Sequence, residues 1–218
     1  MSDETQTSKE LLERAYALSS DAETRALYRD WATSYDQTMM DGLAYLTPRQ
    51  TAQLFASHQK DKSARILDVG SGTGLAGEEL ARLGFENIDA LDYSPEMLGV
   101  ARLRETDGRA VYKTMIEADL NHPLKLASES YDGMIATGLF THAHVGASCL
   151  RELFRLLKPN SLFATTVHKD VWASGGFETT VHELEDEGIL KTLHAREGKY
   201  FETDQEPMGH YIVWESLK

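Results

Sequence analysis

Apolar positions change rhythm twice along the chain. From Lys9, the residues Leu11, Leu12, Ala15, Tyr16 and Leu18 recur at helical intervals, which predicts an amphipathic helix to about Ser19. Ser20 or Asp21 can cap a second helix over 22–32, with Leu27, Tyr28 and Trp31 on one side. Met39, Met40, Asp41 and Gly42 read as a mobile connection. A third helix opens at Thr47 or Pro48, carries Ala52, Leu54 and Phe55, and ends near His58. Beyond the polar stretch 59–62 the rhythm changes. Short apolar runs at 66–69, 87–91, 111–116, 131–137 and 161–168 alternate with helical segments at 75–84, 95–105 and 147–157. That alternation predicts a parallel sheet. After a helix over 177–187, runs at 190–196 and 210–214 follow with no helix between them, so they should pair antiparallel.

The first of these strands, Ile66-Leu67-Asp68-Val69, runs into Gly70-Ser71-Gly72-Thr73-Gly74. Alternate glycines let a backbone take φ > 0 and approach a ligand, which is expected at the carboxyl edge of the strands. Gly72 to Gly77 is also a literal G-x-G-x-x-G, the dinucleotide pattern. Asp68 separates the two readings. A carboxylate just before the turn would oppose a pyrophosphate, whereas it suits a cofactor with a sulfonium, an ammonium and no phosphate.

The segment from Asp68 to Gly74 resembles motif I of the class I S-adenosylmethionine-dependent methyltransferases. Ala90-Leu91-Asp92-Tyr93-Ser94-Pro95-Glu96-Met97-Leu98 resembles the second motif, whose acid takes the two ribose hydroxyls, and Glu117-Ala118-Asp119-Leu120 the third, whose acid takes the adenine amino group. The resemblance spans about residues 28 to 218. Within the class the chain is most similar to the small methyltransferases related to the Williams-Beuren syndrome region 27 protein, through Tyr35-Asp36, the stretch from Phe140 to Gly146 and the stretch from Val171 to Phe177. The resemblance implies an α/β Rossmann-like three-layer sandwich. Its mostly parallel seven-stranded sheet would end in an antiparallel hairpin, with an N-terminal helical extension or lid over 1–60 and the methyltransferase core over 61–218. It also implies S-adenosylmethionine as cofactor, leaving as S-adenosylhomocysteine. The cofactor would be held by Asp68, Gly70, Gly72, Gly74, Leu75, Asp92, Tyr93, Met97, Asp119, Leu120 and Thr137. Tyr28 and Tyr35 either cover the flat adenosine or pack on the sheet; Trp31 reads as core.

Methyl transfer from a sulfonium has an activated leaving group, so holding the acceptor in line supplies much of the rate, about 7–11 kcal/mol in well-oriented cases. A base helps most when the acceptor is a hydroxyl, and histidine titrates close to working pH. His142 and His144, in the loop after the fourth strand, and His168, ending the fifth, are the candidates; loop packing and helix capping are their plain alternatives. No metal is expected, because Asp68, Asp92 and Asp119 are taken by the cofactor and zinc would want cysteines or a third histidine in register.

The 218 residues suit one α/β domain with an extension. A net charge of −13 with scattered basic residues excludes a phosphate backbone as a natural partner and favours a small neutral or cationic acceptor. Cys149 is the only cysteine, and no apolar run approaches the ~20 residues of a membrane span, so the expectation is a cytoplasmic protein with no membrane partner. Acceptor identity and oligomeric state are open at this stage. Two other functions stay in view: an NAD-dependent oxidoreductase, and a methyltransferase-like module that binds cofactor without turnover.

Overall fold

The computed structural model describes residues 10, 13–14, 21–32, 34–141 and 145–218, with the backbone alone at 21–22, 24–25 and 28. Of the helix expected over 9–19, only Glu10, Glu13 and Arg14 are described, and these are helical; the rest lies outside the described residues. Helix α1 is Asp21–Trp31, and a π-helical turn follows at Gln37–Gly42, then α2 at Thr47–His58. The alternating part runs β1 Arg65–Val69, α3 Leu75–Arg82, β2 Asn87–Asp92 and α4 Pro95–Ala101. A small hairpin, β3 Glu105–Thr106 and β4 Arg109–Ala110, leads to β5 Tyr112–Glu117 and β6 Tyr131–Phe140. Then come α5 Cys149–Leu156, β7 Leu157–His168, α6 Lys169–Ser174, α7 Phe177–Asp186, β8 Leu190–Gly198 and β9 Gly209–Ser216.

Seven strands form one sheet in the order β5-β2-β1-β6-β7-β9-β8. The first five are mutually parallel, and β9 inserts antiparallel between β7 and β8. Alternation along β1 sends Leu67 and Val69 into one core and Ile66 into the other. The first core lies under α5 and α7, where Phe154, Phe163 and Trp214 meet edge to face with centroids 5.6–6.2 Å apart. Each such pair adds about 0.5–1.5 kcal/mol beyond area burial. The second core lies under α2, α3 and α4, with Phe55 and Leu80 fully buried. Pro95 opens α4 behind Ser94, whose hydroxyl accepts the Met97 N–H at 3.2 Å, the cap the sequence implies.

Four features differ from the sequence pattern. The helix expected over 95–105 ends at Ala101, and Glu105 already pairs with Ala110 in the β3–β4 hairpin. Lys158-Pro159-Asn160 is expected to separate helix from strand, yet β7 starts at Leu157, which pairs with Tyr131 before the register slips past the exposed 159–160 segment. At its other end β6 runs three residues beyond Thr137, because a second irregularity between Ala136 and Phe140 bulges the strand at Gly138, φ +67°. The expected connection at 39–42 is instead part of the π-helical turn. Met39 is buried there with Trp31, Tyr45, Tyr200 and Phe201, and the Trp31 indole N–H donates to Thr38 Oγ1 at 3.2 Å.

A candidate S-adenosylmethionine site at the carboxyl edge

The glycine turn bridges β1 to α3 and is tied to β2 by the Ser71 N–H, which donates to the Leu91 carbonyl at 3.0 Å. Gly70, Gly72 and Gly74 all take positive φ, at +64°, +53° and +92°. Their surroundings differ. A Cβ on Gly70 would stand 2.8 Å from Leu139 Cδ1, so the bulged end of β6 lies against the turn and brings Thr137 to its neighbourhood. A Cβ on Gly72 would meet nothing within 4 Å: here the turn faces open space. Leu75, half-buried, opens α3.

Asp92 ends β2 with 7% of its surface exposed. Its Oδ2 accepts the Gly72 N–H at 2.8 Å and its Oδ1 the Ser94 N–H at 2.9 Å. Burial raises its pKa, against those backbone donors. A carboxylate has about four acceptor directions, so beyond the backbone donors Gly72, Ser94 and Tyr93 capacity remains for a hydroxyl of a vicinal diol. The Ala118 N–H donates to the Asp92 carbonyl at 3.0 Å, which sets the turn carrying Asp119 beside the end of β2. Asp119, about a third exposed, accepts the Asn121 N–H at 2.9 Å and faces His122 Nδ1 at 3.2 Å. Tyr93 is half-buried, while Met97 and Leu120 are buried.

Asp68 is 1% exposed. Its Oδ2 accepts the Tyr112 hydroxyl at 2.6 Å and the Gly77 N–H at 3.1 Å, while Oδ1 is buried without a hydrogen-bond partner. Burial pushes the carboxyl up to about 7, opposed by Tyr112 and Gly77 and reinforced by the nearby Asp92 charge. Positive charge placed against this pair of acids offsets that penalty. Gly77 is glycine for the same reason: its Cβ would fall 2.2 Å from the Tyr112 hydroxyl. The sixth position of the G-x-G-x-x-G is therefore explained by side-chain packing, without a pyrophosphate. A buried acid at the base of the glycine turn suits the sulfonium cofactor and opposes the dinucleotide.

The comparisons with known proteins agree. Residues 67–165 match the family model described as a methyltransferase domain. The chain is 29% identical over 174 residues to human Methyltransferase-like protein 27, covering 77% of this chain and 68% of that protein. Together with the fold, these likenesses support a class I S-adenosylmethionine-dependent methyltransferase. They indicate an enzyme whose cofactor is S-adenosylmethionine. The chain is also 36% identical over 112 residues to the Ubiquinone biosynthesis O-methyltransferase of Xanthomonas oryzae pv. oryzae. That match covers 49% of this chain and 44% of that enzyme, so it spans less than half the length of the ubiquinone relative. A solved S-adenosylmethionine-dependent methyltransferase from Leishmania major shares the fold, with a TM-score of 0.65 at 16% identity over 94% of this chain and 90% of that one.

The other expected residues fall unevenly. His142 and His144 lie outside the described residues, as does the Tyr28 side chain. Tyr35 is half-buried with its ring 4.9 Å from that of Trp31, itself 3% exposed. His168, 1% exposed, caps α6: its Nδ1 accepts the Asp170 N–H at 3.2 Å, so a neutral ring carries its proton on Nε2. Its ring stands edge-on to Tyr200, 5.7 Å away. Three groups escape the sequence reading, Tyr112, Tyr45 and Arg104, and Asp36 enters it without a role. Tyr45, 7% exposed with its hydroxyl pushed up to about 12 by burial, reaches the bulge of β6, where a Cβ on Gly138 would be 2.5 Å from its oxygen. Tyr35-Asp36 belongs to the family resemblance, but no local pattern marks Arg104 or Tyr45. Among the described residues, no helix is long and apolar enough to cross a membrane.

Proposed function

We propose that this methyltransferase transfers the methyl group to an O, N or S atom of a small molecule. In this reading Gly70, Gly72, Gly74 and Leu75 cradle the amino-acid part of the cofactor, Asp92 holds the ribose diol and Asp119 the adenine amine. Tyr93, Met97, Leu120 and Thr137 border it, and Tyr28 and Tyr35 belong to a lid formed by the extension ahead of Thr47. The cofactor, when bound, supplies an electrophilic methyl on positively charged sulfur. The chain's own part is to orient and to exclude water. His142 and His144 are proposed to orient the acceptor or take its proton. For His168 the proposal is narrower: its neutral ring, held through Nδ1, directs an Nε2–H and shapes the wall shared with Tyr200. The observation that carries the reading is Asp92, fixed by two backbone N–H groups beside the open face of Gly72 with acceptor capacity to spare. The small-molecule acceptor is supported by the charge of −13 and by the O-methylating relative in ubiquinone biosynthesis.

Thermal unfolding with S-adenosylhomocysteine, S-adenosylmethionine and NADH tests the site. Ligand at ~100 times its Kd stabilises the native state by about 2.7 kcal/mol. A rise with the two sulfur compounds alone is expected, and it should vanish in Asp92→Ala. Labelled methyl transfer is then followed into a panel of phenols, thiols and amines and into the low- and high-molecular-weight fractions of an extract. Label confined to macromolecules would reject the small-molecule acceptor.

A further inference from the structure

Arg104 stands in the loop between α4 and the small β3–β4 hairpin, in no recognisable motif. Its side chain is only 13% exposed. Three of its nitrogens are engaged: Nε donates to the Thr73 carbonyl at 2.7 Å, Nη1 to Glu78 of α3, and Nη2 to Asp36. The Thr73 hydroxyl donates to the other oxygen of Asp36 at 2.5 Å. Thr73 is the residue between Gly72 and Gly74, and Asp36 immediately precedes the π-helical turn. One guanidinium thus joins the middle of the glycine turn to the start of the segment that ends at Tyr45.

That segment is held on one side by apolar packing, through Met39 and Tyr45. Its other side stands over a cleft of about 830 Å³, lined among others by Met40, Leu75 and Glu78, and of α3 only Leu75 packs against this cluster among the described residues. The ion-pair node adds a polar tie to that single apolar contact. Without Arg104, Asp36 and Glu78 would leave two carboxylates facing the same space, and the segment would be repelled from the turn.

We infer that Arg104 is a positioning residue for methyl transfer: it latches the 34–45 segment to the glycine turn, so that docking of this segment and cofactor binding reinforce each other. The inference rests on the proposed placement of the cofactor against Gly72 and Asp92. An arginine is required because its rigid fork satisfies three acceptors at once; a lysine ammonium is a point charge that cannot span them.

The test compares the wild-type chain with Arg104→Met, Arg104→Lys, Asp36→Asn and the Arg104→Met/Asp36→Asn double variant. Hydrogen exchange of peptides within 34–46 is followed with and without S-adenosylhomocysteine, and the affinity for that ligand is measured by calorimetry. Exchange in the wild type should slow on binding. In Arg104→Met it should be at least tenfold faster without ligand, with affinity about 5- to 50-fold weaker. Arg104→Lys should recover part of both, and the double variant should be no worse than Arg104→Met. If Arg104→Met does not fold, Arg104→Lys and Asp36→Asn carry the same comparison. Wild-type exchange and wild-type affinity in folded variants, or losses that multiply in the double variant, would overturn the latch. A wild-type chain that does not bind S-adenosylhomocysteine would instead overturn the placement of the cofactor.

Discussion

The two halves of the carboxyl edge are built by different means. On the side of β5, β2 and β1, the side chains are set by short backbone contacts: Asp92 by Gly72 and Ser94, Asp68 by Gly77, Asp119 by Asn121. On the side of β6, β7 and β9, aromatic groups from distant parts of the chain are pressed together. Tyr45 lies against Gly138, Tyr200 against His168 and Tyr211, and Trp172 over His210 at 4.8 Å. Hydrogen-bonded turns demand particular residues at particular spacings, whereas packed aromatics demand mainly volume. A cofactor common to a whole class suits the first construction, and an acceptor that differs between members suits the second.

The sharpest way to break the first half is Asp92→Ala. Two hydrogen bonds to a charged group are at stake, each about 1.5–3 kcal/mol, so affinity for S-adenosylhomocysteine should fall by about 100-fold or more. Calorimetry on the folded variant reads this directly, and undiminished affinity would remove Asp92 from the site. Gly138→Val attacks the second half. Its Cβ would sit 2.5 Å from the Tyr45 oxygen at a positive φ, and overpacking of this kind costs about 1–3 kcal/mol. Denaturant midpoints should show that loss, and turnover should suffer more than cofactor affinity. An equal loss of both would erase the distinction between the halves.

Acid–base behaviour sharpens the comparison further. Asp68 holds its proton to about pH 7 in the folded chain, against 3.8 for the free group. Between about pH 4 and 7 the folded state therefore binds more protons than the unfolded one, and stability must fall as pH rises through that window. In the cofactor-free protein we expect a decline of about 3–5 kcal/mol from this group, shallower with S-adenosylmethionine bound and absent in Asp68→Asn. Melting curves across pH 4 to 8 for both chains would show it; parallel curves would contradict the assignment. The smallest effect concerns His168→Asn. Asparagine can keep the α6 cap, so stability should change by only a few tenths of a kcal/mol. Turnover that survives with an unaltered pH profile would leave His168 as a wall and cap, with proton transfer lying elsewhere.

Much of this architecture is legible in the order of residues. The change from 3.6-residue to short-run periodicity locates the first five strands of the sheet, and the missing helix between 198 and 209 foretells the antiparallel end. What escapes depends on contacts far apart in sequence. Gly77 reads as part of a phosphate-binding pattern, and only the folded chain shows that Tyr112 needs its missing Cβ. The bulge at Gly138 follows from pairing with β7, and the π-helical turn from burial of Met39 under strands near the C-terminus.

The chain's own order of residues determined which cofactor this fold takes, because an acid followed by alternate glycines constrains backbone angles and charge within seven positions. Tertiary structure alone decided which side chains gather at the carboxyl edge beside the glycine turn. Arg104 meets Asp36 across 68 positions, and Tyr45 reaches the end of β6, only because the folded chain brings those segments within hydrogen-bonding or van der Waals distance. Such contacts leave no periodicity in a sequence: they are made by single residues whose neighbours along the chain share nothing of their environment.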